Sequence, residues 1–418
     1  MNVNPPASPG VDSSPAALGP RTRRWRRVLT VSIAAATLSG LVLTGGVASV
    51  ATGEQFPDEE NATSTRPDRN SVEGLTAYLA AVPGDWTAWS ELGQMQLEQA
   101  RVNADPSWFT RAEESFAQAM RLQPRQNFAA LAGQAALAGG QHDFVGARRL
   151  ARAALQVNPL DPGALGTLTD ALTELGRYPQ ALAAARRLDR VRPGVSSFTR
   201  LAYQAELRGH IPRALRLLRR ASAAAASPAQ IAFARYHEGL LAFRQGRIAT
   251  ARHAYRTGVA AAPGDTELLH LSALLAVHDE RPTALNRYRE LIERRPLPTF
   301  AMEFAAMSKG AGRHQEVREV IAKVSELSRT EQELGAAVEP SEVVLEAKYG
   351  HPAAAVTIAK QLWSREQGVF AADAFAVALH VAGKHRQALR YSDRSLRLGT
   401  KSPSLQQHRN QILRALRR

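Results

Sequence analysis

Cysteine is missing altogether from the 418-residue chain. That excludes disulfides, thiolate metal sites and cysteine nucleophiles together. Aromatic residues make up only 6% of it, and β-branched residues are sparse, which argues against strands as the main element. Lysine is scarce beside arginine, and with the alanine excess this has the bias of a GC-rich, actinobacterial-like genome. What is plentiful is Ala, Leu, Arg, Glu and Gln, residues that lose little on entering a helix. The net charge of +15 favours anionic neighbours, such as lipid headgroups, acidic polymers or acidic proteins.

The amino-terminal part has its own composition. Residues 1–27 are rich in Pro, Ser, Gly and Ala, end on Arg21, Arg23, Arg24, Arg26 and Arg27, and read as a disordered basic segment. Residues 28–53 carry no charge and exceed the ~20 residues a helix needs to cross a bilayer. Arginines before this stretch and Glu54, Asp58, Glu59 and Glu60 after it predict a single-pass transmembrane or signal helix, amino end inside and the remainder outside. Ser49-Val50-Ala51 offers a cleavage site, so the alternative is a secreted protein cut after Ala51. Residues 54–70 are polar, contain Pro57 and Pro67, and read as a flexible stalk.

From residue 71 the sequence repeats itself. Prolines that close a helical pair fall at Pro83, Pro124, Pro159, Pro193, Pro228, Pro263 and Pro296, mostly 33 to 35 residues apart. The first interval is longer because residues 100–109 carry an insertion. A small residue keeps step at Ala112, Ala147, Ala181, Ala214, Ala251, Ala284, Val317, Ala355 and Ala388. Five residues before it stands an inter-helix turn, usually glycine: Gly176, Gly209, Gly246, Gly312, Gly350 and Gly383. Two antiparallel helices approach closely only where side chains are small, and glycine in the turn can take the positive φ that ends the first helix.

These markers resemble the tetratricopeptide repeat family. Trp89, Leu92, Gly93, Ala112, Phe116, Ala119 and Pro124 fit one unit of its pattern. Leu165, Leu168, Gly176, Tyr178, Ala181 and Pro193 fit another, and Gly239, Gly246, Ile248, Ala251, Tyr255, Gly258 and Pro263 a third. The resemblance implies an all-α fold: a tetratricopeptide-type α-solenoid, a right-handed superhelix of antiparallel helix pairs. About nine pairs are expected over residues 71–400, with a capping helix over 401–418 and a shortened or distorted helix around Pro340.

No catalytic constellation stands out, and neither cofactor nor metal site is expected. His237-Glu238 begins like a zinc-protease motif but lacks the second histidine, and Gly399-Thr400-Lys401-Ser402 lacks the rest of a phosphate loop. His210, His314, His351 and His385 follow turns and read as turn residues. The resemblance implies a non-catalytic scaffold that binds a protein or peptide in a concave groove lined by the first helices. Mapped onto this chain, the groove positions are Phe233, Tyr236, Leu240 and Phe243, with Thr199, Tyr203 and Glu206 beside them and Asp170 and Glu174 beyond. Packing between repeats is the other reading of these rings. A clamp for free acidic carboxyl termini is not matched. Small-molecule substrates and nucleic acid are not expected partners, because the basic stretches lack interleaved aromatics. The rival reading is a regulatory module that engages an anionic envelope polymer or a surface enzyme through its basic carboxyl end, with Arg390, Arg394 and Arg397.

Overall fold

The computed structural model describes residues 69–103, 107–308, 312–333 and 336–417. The basic segment 1–27, the apolar stretch 28–53 and nearly all of the stalk lie outside the described residues. Among the described residues no helix is long and apolar enough to cross a membrane.

Twenty helices occupy the described residues. A lone helix, α1 (Val72–Ala81), precedes nine pairs. These are α2 (Trp86–Asn103) with α3 (Ser107–Leu122), α4 (Phe128–Gly140) with α5 (Phe144–Val157), and α6 (Pro162–Glu174) with α7 (Tyr178–Val191). Next come α8 (Val195–Leu207) with α9 (Ile211–Ala223), α10 (Pro228–Arg244) with α11 (Ile248–Ala261), and α12 (Thr266–His278) with α13 (Ala284–Arg294). The last are α14 (Pro298–Ser308) with α15 (His314–Glu333), α16 (Pro340–Tyr349) with α17 (Pro352–Arg365), and α18 (Val369–Val381) with α19 (His385–Leu396). Helix α20 (Pro403–Leu416) follows. Each helix packs on its partner, and first helices touch first helices of the next pair, as α4 touches α6, α6 touches α8 and α8 touches α10. The result is an all-α helical repeat array.

The small residues sit where the helices of a pair cross. Ala112, Ala147, Ala181, Ala214, Ala251, Ala355 and Ala388 have no exposed surface at all. The space between one pair and the next is filled by large rings. Phe116 is wholly buried, and a Cβ on Gly93 would come within 2.6 Å of it, so the glycine of the repeat signature makes room for the ring.

Turn chemistry is equally regular. Gly176, Gly209, Gly246 and Gly383 have φ of +68°, +71°, +70° and +75°. The next residue's N–H then bonds back across the turn, as from Arg177 to the Leu172 carbonyl at 2.7 Å and from His210 to Ala205 at 2.9 Å. This 6→1 bond is the Schellman closure of a helix. Two turns reach the same geometry without glycine: His142 at φ +58° and Glu280 at φ +55°.

Four sequence expectations are corrected. Gly350 has φ −106°, because only Gly350 and His351 separate α16 from α17 and no left-handed residue is needed. Pro340 opens its helix rather than sitting inside it, while the expected shortening holds, since α16 is only ten residues long. Pro228 likewise starts α10 rather than closing the pair before it. The insertion near residue 100 lengthens α2 to 18 residues instead of swelling the turn.

The array also closes on itself. The loop after α17 meets the third pair, where the Gln367 N–H donates to the Glu174 carbonyl at 2.8 Å. Arg397 donates to the Gly176 carbonyl at 3.3 Å, and Gln245 to the Lys401 carbonyl at 3.1 Å. Between these lies an apolar strip of Tyr178, Leu207, Val369 and Leu405, flanked by Tyr203 and Phe370.

Candidate functional site

A helix that faces a groove shows it the residues at i, i+4 and i+7. On α8 these are Thr199, Tyr203 and Glu206; on α10 they are His237, Leu240 or Leu241, and Arg244. The two sets meet in a small cavity of about 30 Å³, with Phe370 of α18 on its wall. That is room for one or two waters or the tip of a side chain.

The charged groups here are poorly solvated. Arg244 lines the cavity with its Nη1 3.9 Å from Glu206 Oε1, and its Nε and Nη2 are buried without a hydrogen-bond partner. Burial raises the Glu206 carboxyl against the pull of Arg244. It also lowers His237 to about 3, helped by the Arg244 charge, so that imidazole is neutral. The Tyr203 phenol is pushed up by burial and by the carboxylate of Glu174.

The remaining groove positions have mixed placements. Phe233 is half-buried, its ring edge-on to His237 at 4.5 Å, and Phe243 is half-buried beside His278. Tyr236, only 2% exposed, lies inside the stack. Its hydroxyl meets His270 Nδ1 at 2.9 Å, His270 Nε2 meets Glu303 at 2.9 Å, and Tyr288 donates to Glu303 at 3.0 Å. This buried chain ties α10, α12, α13 and α14 together. Leu240 and Thr199 are buried but border the cavity. Asp170 accepts from Arg200 Nε at 3.0 Å and Nη2 at 2.6 Å, bridging α6 to α8. Burial nonetheless raises the Asp170 carboxyl above its usual range.

Glu174 stands apart from the cavity, at the closure. His142 Nδ1 lies 2.9 Å from Glu366 Oε1, and its Nε2 lies 3.7 Å from Glu339. Burial, then the Glu366 charge, lifts Glu174 to about 8 against the pull of His142. Burial alone would lower His142, but the Glu366 hydrogen bond and charge, with Glu339 and Glu174, outweigh it and raise the imidazole to about 9.

The three carboxyl-end arginines are not equivalent. Arg390 is exposed. Arg394 lies over the Trp363 ring at 4.8 Å, and Arg397 over Tyr178 at 5.5 Å. The motif fragments have structural uses too. Glu238 is buried under Arg219 at 2.9 Å and Arg235 at 2.7 Å, and Gly399 presses against Gly209 in the closure. Among the described residues no group of three or more metal-ligating side chains is placed to hold an ion.

Sequence reasoning missed His237, Arg244 and Phe370. The first two carried a signal, since they share the helical face of Leu240. Phe370 carried none, because it arrives from a distant pair.

A tetratricopeptide repeat family model matches residues 138–202. No curated protein matches the chain. Among solved structures, yeast Tom70 is similar over 82% of this chain and 84% of its own, at 14% identity and a TM-score of 0.43. Pseudomonas aeruginosa pilF is similar over 53% of this chain and 97% of its own, at 18% identity and a TM-score of 0.40. YrrB, described as a TPR protein with an unusual peptide-binding site, is similar over 48% of this chain and 99% of its own, at 15% identity and a TM-score of 0.31. At such scores these likenesses carry nothing about what the chain binds. The family model falls on α4 to α8, inside a stack of helix pairs with one turn chemistry: the described chain is an all-α array of helix pairs, of which residues 138–202 match the tetratricopeptide repeat.

Proposed function

We propose that this chain is a non-catalytic scaffold that binds a partner protein or peptide on the face formed by α6, α8 and α10. The observation that carries this is the cavity at Tyr203, Glu206, Leu240 and Arg244, with half-buried Phe233 close by. Aromatic and arginine side chains at a partly desolvated concavity are the residue types that anchor partners. The repeat architecture supports the reading, because arrays of this kind act through extended surfaces rather than through reactive groups.

We place the array outside the cytoplasmic membrane, tethered by the apolar stretch 28–53, on the charge asymmetry around that stretch. The alternative is release after Ala51. A carboxyl-terminally tagged copy in intact, wall-stripped cells tests the placement. A membrane-bound tag lost to added protease supports it, a tag in the medium supports release, and a protected tag overturns both.

A photo-crosslinking residue at position 233, in cells, tests the binding face. Discrete protein adducts from 233, absent from position 216 on the α9 surface, support the reading. Equal adducts from both positions, or none from 233, overturn it.

A further inference from the structure

We propose that the closure of the array is a releasable latch, held by the His142–Glu366 ion pair, whose opening uncovers the strip around Tyr178, Tyr203 and Leu207 beside the proposed binding face. It rests on that reading for its purpose, but not for its mechanics.

The contacts are of the kind that can let go. They join residues more than 150 positions apart, such as Gln245 with Lys401, rather than neighbours in the stack. Two are single hydrogen bonds from side chains to backbone carbonyls, from Arg397 and Gln245. The apolar part is a small cluster, whereas stacking within the array is continuous. A local interface with few buried contacts opens at much lower free energy than the whole fold.

Its charged end is unusual. Five turns within pairs of the array carry a left-handed glycine, and the turn at this contact carries His142 at φ +58° instead. A non-glycine residue there is strained, and this one supplies the closure's buried cation. Facing it are Glu366 at the end of α17, Glu339 at the start of α16 and Glu174 on α6, and the Arg365 charge acts on Glu366. Behind Glu174 lies Asp170, already paired with Arg200 of α8. Glu331 and Glu342 add like charge near Glu339. Arg394 and Arg397 face the neighbouring Tyr178. One imidazolium from the second pair therefore draws in three carboxyls, two from the eighth pair and one from the third.

The sign of the pH dependence follows. His142, raised to about 9, binds its proton more tightly closed than open, so its contribution is complete below the ordinary imidazole value and fades as pH rises through 9. Glu174, raised to about 8, also keeps an extra proton in the closed form, and its contribution fades as pH rises through 8. Both groups act in the same direction: the latch is closed at neutral pH and loosens in mild alkali.

Amide hydrogen exchange of the full chain tests this, corrected for the intrinsic rate, with residues 284–305 as the internal reference. His142→Asn keeps a residue tolerant of positive φ but removes the cation. Segments 174–180 and 366–372 are expected to exchange about tenfold faster at pH 7, with the reference unchanged. Adding Glu366→Gln removes the uncompensated charge and is expected to restore much of the protection. In the unsubstituted chain the same segments speed up between about pH 7 and pH 9, and in His142→Asn the part of this rise carried by His142 is lost, leaving the smaller one of Glu174. Equal rates in His142→Asn, or acceleration of all segments together, overturns the latch. Opening as expected, with no adducts from position 233, leaves the latch standing and removes the binding face.

Discussion

At the scale of single residues, two glycines with the same backbone separate turn strain from closure. Gly209 and Gly246 both sit near φ +70°. A Cβ at Gly246 meets nothing within 4 Å, whereas at Gly209 it runs into the Gly399 carbonyl oxygen. Alanine at either position costs ~1–2 kcal/mol for the left-handed conformation. Gly209→Ala is expected to cost roughly 1–3 kcal/mol more, as overpacking does. Urea midpoints of the two variants measure the difference, and equal midpoints would show that Gly399 simply moves away. Arg200 and Asp170 make a second residue-scale case. Arg200 is 3% exposed, so Asp170→Asn leaves a guanidinium buried without its counter-ion. A loss of ~3–5 kcal/mol is expected, while Arg200→Met with Asp170→Leu should fall close to the starting stability.

Among elements, α10 separates packing from binding. Tyr236 and Phe233 lie less than one turn apart, but one is sealed in the stack and the other is half-buried at its edge. Tyr236→Phe removes one end of the Tyr236–His270–Glu303 chain and should cost ~1 kcal/mol with little effect on partner capture. Phe233→Ala should leave the thermal midpoint nearly unchanged and weaken capture at least severalfold. If Tyr236→Phe abolishes capture at full stability, the buried chain has a role beyond packing. The repeat itself was legible because every crossing asks for the same thing: alanine at 181, 214 and 251, and glycine five residues earlier. Helical phase was legible to within a residue, which is why Leu240 was placed at the cavity but Tyr236 was not kept out of the core. Pro340 was misplaced because a proline tolerated only in the first turn looks the same, in sequence, as one that breaks a helix. The closure left almost no trace. Its residues come from pairs far apart, and no period links 142 with 366 or 209 with 399. One sign was available: residue 142 stands where the repeat wants glycine, and it is a histidine.

For the molecule as a whole, the closure changes what kind of object the array is. An open stack of repeats has stability that sums over neighbours, so its ends can melt separately. Joining the eighth and ninth pairs and the turn after them to the second, third, fourth and fifth pairs adds contacts that skip those neighbours and couples the two ends. The tryptophans report on each end: Trp86, Trp89 and Trp108 near the start, and Trp363 near the carboxyl end, packed against Phe375 and Tyr391. With Trp25→Phe and Trp363→Phe, fluorescence follows the first pairs; with Trp25, Trp86, Trp89 and Trp108 all replaced by Phe, Trp363 follows the last ones. At pH 7 both probes are expected to lose signal in one urea transition. Near pH 9.5 His142 and Glu174 have lost the protons that favour closure, and the two transitions should separate. The same separation should appear at pH 7 in His142→Asn. Transitions that coincide under all three conditions would mean that ordinary stacking alone carries the coupling, and the ion pair would then be an ornament of the fold rather than its clasp.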